Sequence, residues 1–193
     1  MAKLHFYYSA MNAGKSTVLL QSSYNYNERG MDTLLFAPAF DTRYGKNKVA
    51  SRIGLQADSI PFDSDFNIFT YAKNACAKNA NIKCVLVDEA QFLNKAQVLQ
   101  LAEITDEINI PVLAYGLRTD FMGELFEGSK YLLGLADQLI EIKTICHCGK
   151  KATMNMRIDE FGNAVREGAQ VEVGGNERYI AVCRRHFKEG KGK

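Results

Sequence analysis

Gly14, Lys15 and Ser16 are the first residues whose types and spacing suit a defined chemistry. Backbone N–H groups at the start of a helix point toward an anion, and the helix dipole adds to the attraction. A glycine lets the chain approach that anion closely. The lysine supplies a charge for β- and γ-phosphates, and the serine offers a hydroxyl to Mg2+. The whole stretch, SAMNAGKS over residues 9–16, departs from the pattern G-x-x-x-x-G-K-[ST] at Ser9, where the pattern has glycine. Serine can make the turn if its backbone stays at an ordinary φ. A phosphate-binding loop is expected from Ser9, Ala10, Met11, Asn12, Ala13, Gly14, Lys15 and Ser16.

A second group, LVDEAQF over 86–92, supplies the acids such a loop needs. Asp88 closes a buried apolar run, the usual place for a carboxylate that works with Mg2+. Glu89 beside it suits a general base that takes a proton from water or an alcohol. Gln91 and Phe92 then lie near the acceptor. Parallel strands deliver their C-terminal ends to one edge, so Ser9 and Asp88 are expected side by side at the ligand crevice.

A third group is Cys146-x-Cys148 with Cys183-x-x-His186. Three thiolates and one imidazole suit tetrahedral Zn2+, and four protein ligands leave no open position for water. A structural zinc is expected, pinning the two ends of the 149–182 segment, which could then be a loop held over a ligand. His147 is a conceivable substitute for Cys148, but thiolate is the better zinc ligand. Cys76 and Cys84 stand alone in apolar contexts and read as core residues.

These groups must be positioned by regular elements. LHFYYS (4–9), TLLFAP (33–38), IKCVLVD (82–88), PVLAYG (111–116) and DQLIEIK (137–143) read as strands. Residues 14–29, 68–79 and 95–108 read as helices, the last with Val98, Leu101, Ala102, Ile104 and Ile108 on one face. Residues 40–62 are rich in turn formers and charge and read as a connection or small hairpin. Strands that alternate with helices predict an α/β fold, a mostly parallel sheet covered on both faces. After residue 143 the character changes to short runs, glycines and the cysteine pairs. A domain of residues 1–143 is therefore expected to carry a smaller zinc-containing domain of residues 144–193.

The chain has 193 residues, 47% hydrophobic and 24% charged, with net charge +2. That supports an ordinary core. It lacks the concentrated basic footprint of a nucleic-acid binder, and the basic stretch from Arg184 to Lys193 reads as a solvated tail. No run approaches a membrane span, and residues 1–10 lack the apolar core of a secretory signal. A cytoplasmic protein with free or metal-bound thiols is expected. DEAQ also resembles the acidic box of nucleic-acid helicases, but a helicase core generally needs two such domains.

Taken in order, SAMNAGKS, LVDEAQF, YGLRTDFMGELF (115–126), CHCG and GGNERYIAVCRRH (174–186) resemble the type II thymidine kinases, in particular the bacterial members. The likeness runs over residues 3–188, and the serine at position 9 and the Cys-x-Cys pair are themselves features of it. It implies a P-loop domain related to the RecA core, with a small zinc-containing domain and a lasso-like loop. It implies transfer of the ATP γ-phosphate to the 5′-hydroxyl of thymidine, with deoxyuridine as a further acceptor, giving thymidine monophosphate and ADP. It also implies Mg2+, a homotetramer and feedback inhibition by dTTP. By this likeness Glu89 is the base and Asp88 the Mg2+-associated acid, acting through water; Ala90 and Gln91 join the nucleotide-binding residues. Asp41 and Arg43 fall near sugar and phosphates. Met11, Phe92, Leu117, Phe121 and Phe126 line the thymine pocket, Tyr179 meets the nucleoside, and the backbone of Val171, Glu172, Val173 and Gly174 reads the base.

Overall fold

The computed structural model describes residues 1–42, 45, 47–171 and 178–192. Arg43, Glu172, Val173 and Gly174 lie outside the described residues.

A central sheet holds the core. Strands β1 (Leu4–Ser9), β2 (Asp32–Pro38), β5 (Ile60–Phe62), β6 (Ile82–Val87), β7 (Val112–Leu117) and β8 (Gln138–Glu141) form it in the order β5-β2-β6-β7-β1-β8. Every pairing in this sheet is parallel. The inner strands are apolar on both faces: Cys84, Val85, Leu86 and Val87 are all fully buried. Such runs are what a sheet covered on both sides requires. On one face lie α2 (Ile68–Lys78), α3 (Lys95–Glu103) and α4 (Glu127–Leu135), packed over Phe6, Phe36, Val85 and Val112. On the other, α1 (Lys15–Glu28) buries Leu19 and Leu20 against Leu35, Leu86 and Tyr115.

The sheet order corrects one expectation. Strand β7 lies between β1 and β6, so Ser9 and Asp88 end strands that are not neighbours. The start of α1 reaches both strand ends instead: Lys15 Nζ lies 3.2 Å from Ser9 Oγ, and Ser16 Oγ lies 3.3 Å from Asp88 Oδ2.

Other differences are local. The helix expected over 95–108 is α-helical only to Glu103 and widens to a π turn over Ile104–Ile108, which Asn109 ends at φ 57°. Thr105 turns its hydroxyl back on the Ala102 carbonyl at 2.7 Å, a local bond that competes with the ladder. Within residues 40–62, β3 (Lys48–Ala50) and β4 (Gln56–Asp58) do form a hairpin, but β5 joins the main sheet as its edge. The stretch before Cys183 is more than a loop: β11 (Met154–Ile158) pairs antiparallel with β12 (Ala164–Val165) and β13 (Tyr179–Val182). A short ribbon of β9 (Thr144–Ile145) and β10 (Lys151–Ala152) lies before it. The basic stretch is not a free tail. It forms α5 (Arg184–Glu189), which buries Phe187 and leaves Arg184, Arg185 and Lys188 exposed. Among the described residues, no helix is long and apolar enough to cross a membrane.

Candidate active site

Strand β1 ends at Ser9, and the chain turns through Asn12 and Gly14 at φ 61° and 86° before α1 begins. Gly14 is the α1 N-cap, so the first N–H groups of the helix open onto this turn. Lys15 is buried and points back, its Nζ 3.2 Å from Ser9 Oγ, while that hydroxyl donates to the Ala10 carbonyl at 2.6 Å. Ser9 thus stays in extended backbone and gives the lysine a resting partner.

Asp88, only 5% exposed, follows the end of β6. Its Oδ2 accepts a bond from Ser16 Oγ at 3.3 Å, and its Oδ1 accepts the Glu89 N–H at 3.0 Å. Burial pushes its carboxyl up to about 7, with Glu89 adding to the rise; Lys15, the Glu89 N–H and the Ser16 hydroxyl oppose it. A divalent cation beside it would favour the charged form. Two oxygens on one Mg2+ at 2.0–2.1 Å, at octahedral right angles, stand about 2.9 Å apart. Ser16 Oγ and Asp88 Oδ2, 3.3 Å apart, are oxygens of the kind that Mg2+ takes.

Glu89 sits half-buried at φ 49°, a left-handed backbone that a non-glycine residue rarely adopts. Its carboxylate lines the cavity. Gln91, 2% exposed, fixes it there: Gln91 Nε2 donates to Glu89 Oε2 at 2.5 Å, while Gln91 Oε1 accepts the Leu117 N–H at 3.0 Å. A Cβ at Gly116 would stand 2.9 Å from both the Gln91 N and Oε1, so this contact requires glycine.

Lys15, Ser16, Glu89 and Gln91 line one cavity of about 370 Å3, and Ser9 and Asp88 are not among its lining residues. Met11 through Thr17 contribute to its wall. Aromatic rings contribute too: Phe40 meets Phe92 edge-on at 5.0 Å, Phe92 meets Phe126 at 5.8 Å, and Phe121 meets Tyr179 at 6.4 Å. Asp41, Leu117 and Val171 complete the wall. Ala10 and Ala90 are buried behind it. The cavity also contains residues that the motifs do not indicate: Ala50, Ser51, Arg52 and Ile53 from the β3–β4 hairpin, and Thr119, Asn155 and Gln170. Asn155, in TMNMRID, sits in a strand too short to announce itself. Only its alternation with Arg157 could have flagged it.

The cysteine cluster lies beside this cavity. Donor atoms of Cys146, Cys148, Cys183 and His186 all fall within 4.8 Å of one another. A tetrahedral zinc with its usual bond lengths separates its ligand atoms by about 3.5–3.8 Å. The observed separations are 3.3 Å for Cys146 Sγ to His186 Nδ1, 3.5 Å for Cys183 Sγ to His186 Nδ1 and 3.9 Å for Cys148 Sγ to Cys183 Sγ. Donor set and spacing both fit zinc. Desolvation raises the Cys146 thiol, but the Cys148 and Cys183 N–H groups and the His186 ring together bring it down to about 6, toward the thiolate a metal needs. His147 instead stacks on His186, ring centroids 4.3 Å apart.

A parallel sheet, a Gly-Lys-Ser turn after its first strand and a cavity that this turn shares with Glu89 are features of a P-loop nucleotide-binding enzyme. Comparison with known proteins narrows the class: the thymidine kinase family model matches residues 2–187, and the chain belongs to that family. It is 67% identical to the thymidine kinase of Coxiella burnetii (strain RSA 493 / Nine Mile phase I) over 191 residues, 99% of this chain and 97% of that protein. It is 64% identical to the thymidine kinase of Legionella pneumophila (strain Lens), covering 99% of this chain and 91% of that one. Against the thymidine kinase of Aliivibrio fischeri (strain ATCC 700601 / ES114) the identity is 60% over 193 residues, all of both chains.

Proposed function

We propose that the chain transfers the γ-phosphate of ATP to the 5′-hydroxyl of thymidine, and of deoxyuridine as a second acceptor, giving the nucleoside monophosphate and ADP. One observation carries this reading: Glu89 lines one cavity together with the Gly14–Ser16 turn and with Phe40, Phe92, Phe121 and Phe126. A nucleoside spanning the two places its 5′-hydroxyl between base and phosphate.

The roles follow from that placement. The α1 N-terminus and Lys15 hold the phosphates. Ser16 and Asp88 hold Mg2+, which supplies charge neutralisation during transfer. Glu89 takes the hydroxyl proton, oriented by Gln91. Met11, Phe92, Leu117, Phe121 and Phe126 enclose the base, because a flat methylated ring suits apolar and aromatic walls. Asp41 and Arg43 meet sugar and phosphates. Tyr179, with the backbone of Val171, Glu172, Val173 and Gly174, covers the nucleoside and excludes water, so that the phosphoryl group reaches the alcohol. Residues 1–143 form the catalytic unit, and 144–193 the zinc unit with the covering loop. Because one cavity joins both subsites, dTTP can fill it with base and triphosphate together, which accounts for feedback inhibition. The proposal extends to a homotetramer working in the cytoplasm without nucleic acid.

Replacing Glu89→Gln keeps size and removes the base. Turnover of thymidine should fall roughly 10²-fold or more, the usual scale of general acid–base catalysis. Near-wild-type turnover in that variant would remove Glu89 from this role.

A further inference from the structure

Strand β11 is buried through its centre at Asn155, Met156 and Arg157. Successive side chains on a strand point to opposite faces. Met156 faces the zinc unit, packed with Cys146, Val182, Cys183 and Phe187. Asn155 and Arg157 share the opposite face and are only 2% and 6% exposed; Asn155 lines the nucleotide cavity, and Arg157 packs behind its lining residues Phe121 and Tyr179. One strand therefore touches the metal unit's core on one side and the active site on the other.

Both polar side chains are engaged with parts that bind substrate. Asn155 Oδ1 accepts the Met11 N–H of the phosphate loop at 2.7 Å, and Asn155 Nδ2 donates to the Thr119 carbonyl at 2.8 Å. The amide thus fastens the turn between β1 and α1 to the chain leaving β7. Arg157 lies 3.8 Å over the Phe121 ring, donates from Nε to the Tyr179 hydroxyl at 2.8 Å and from Nη2 to the Ala169 carbonyl at 2.9 Å. A planar, permanently charged fork can stack and donate in several directions at once, which lysine cannot copy.

We propose that β11 is a strut by which the metal unit sets the geometry of the nucleotide site, with Asn155 positioning the phosphate loop and Arg157 positioning Phe121, Tyr179 and the chain at Ala169. Both are positioning residues, acting through the groups they bond. The proposal rests on the kinase reading above for the nucleoside arm, but the phosphate-loop arm needs only ATP.

The test measures MgATP and thymidine binding separately by calorimetry, alongside KM for each substrate and zinc content. Asn155→Ala should weaken MgATP about 5- to 10-fold, the range of one neutral hydrogen bond, and weaken thymidine by clearly less, through Met11 alone. Arg157→Met should weaken thymidine by about tenfold or more, as expected for bonds to a charged donor, and leave MgATP within about twofold. Arg157→Lys should recover only part of that loss. Adding Tyr179→Phe to Arg157→Met should cost less than it does alone, because the partner is already lost. Both variants should keep stoichiometric zinc. Equal weakening of both ligands in either variant, loss of zinc, or unchanged affinities would overturn the strut. If Asn155→Ala does not fold, Asn155→Thr is read against the same outcomes. Failure of the wild-type chain to bind thymidine would count against the kinase reading instead, with the Asn155 and MgATP comparison still decisive for the phosphate-loop arm.

Discussion

Ser9 shows how one side chain can replace a glycine without loss of the motif. Its backbone remains in the strand, and the positive φ angles fall on Asn12 and Gly14 instead. The hydroxyl keeps Lys15 inside the loop before a phosphate arrives. Ser9→Ala should therefore leave the fold intact and raise the KM for ATP about 3- to 10-fold, the scale of one lost hydrogen bond; an unchanged KM would show that Lys15 needs no such partner. Glu89 and Gln91 follow the same logic of one residue fixing another. The left-handed bend at Glu89 and the amide bridge to Leu117 together fix a carboxylate at the cavity wall.

Elements succeed or fail here by how closely they approach the site. Helix α4 packs on the 3-10 turn Ala90–Phe92 so tightly that a Cβ at Gly128 would stand 2.3 Å from the Ala90 carbonyl and 2.8 Å from that of Leu93. Gly128→Ala should push α4 off this turn and cost about 1–3 kcal/mol or more of stability. Calorimetric melting should register about 2–4 °C per kcal/mol for a chain of this size; an unmoved melting point would mean the helix has room the contacts deny. That helix did not show in the sequence, because EGSKYLLGL carries two glycines and no side-chain cap. The long apolar strands were legible, since runs such as IKCVLV admit few alternatives. The motifs at 9–16, 88–91 and the Cys/His pairs were legible as local patterns. What the sequence concealed was the insertion of β7 between β1 and β6, the edge strand β5, and the contribution of Asn155 and Arg157. Each depends on partners far away in the chain, and strands of two to five residues leave little periodicity to read.

The molecule as a whole is a parallel α/β core with a metal unit leaning on its active edge. The four residues that could hold zinc come from the β9–β10 turn and the start of α5, so a metal there would close the unit around β11 and β13. Cys183→Ser should release zinc and loosen this unit, with metal analysis and proteolysis of residues 144–193 as the readouts; stoichiometric zinc in that variant would contradict the assignment. The central claim, that the cavity phosphorylates a nucleoside, is tested most directly by phosphate transfer from MgATP to a panel of free nucleosides, with single-stranded DNA as a parallel additive. The account predicts monophosphate from thymidine, with deoxyuridine as a second acceptor and none from purine nucleosides, and no effect of DNA. No nucleoside product, with ATP hydrolysed only when DNA is present, would contradict it.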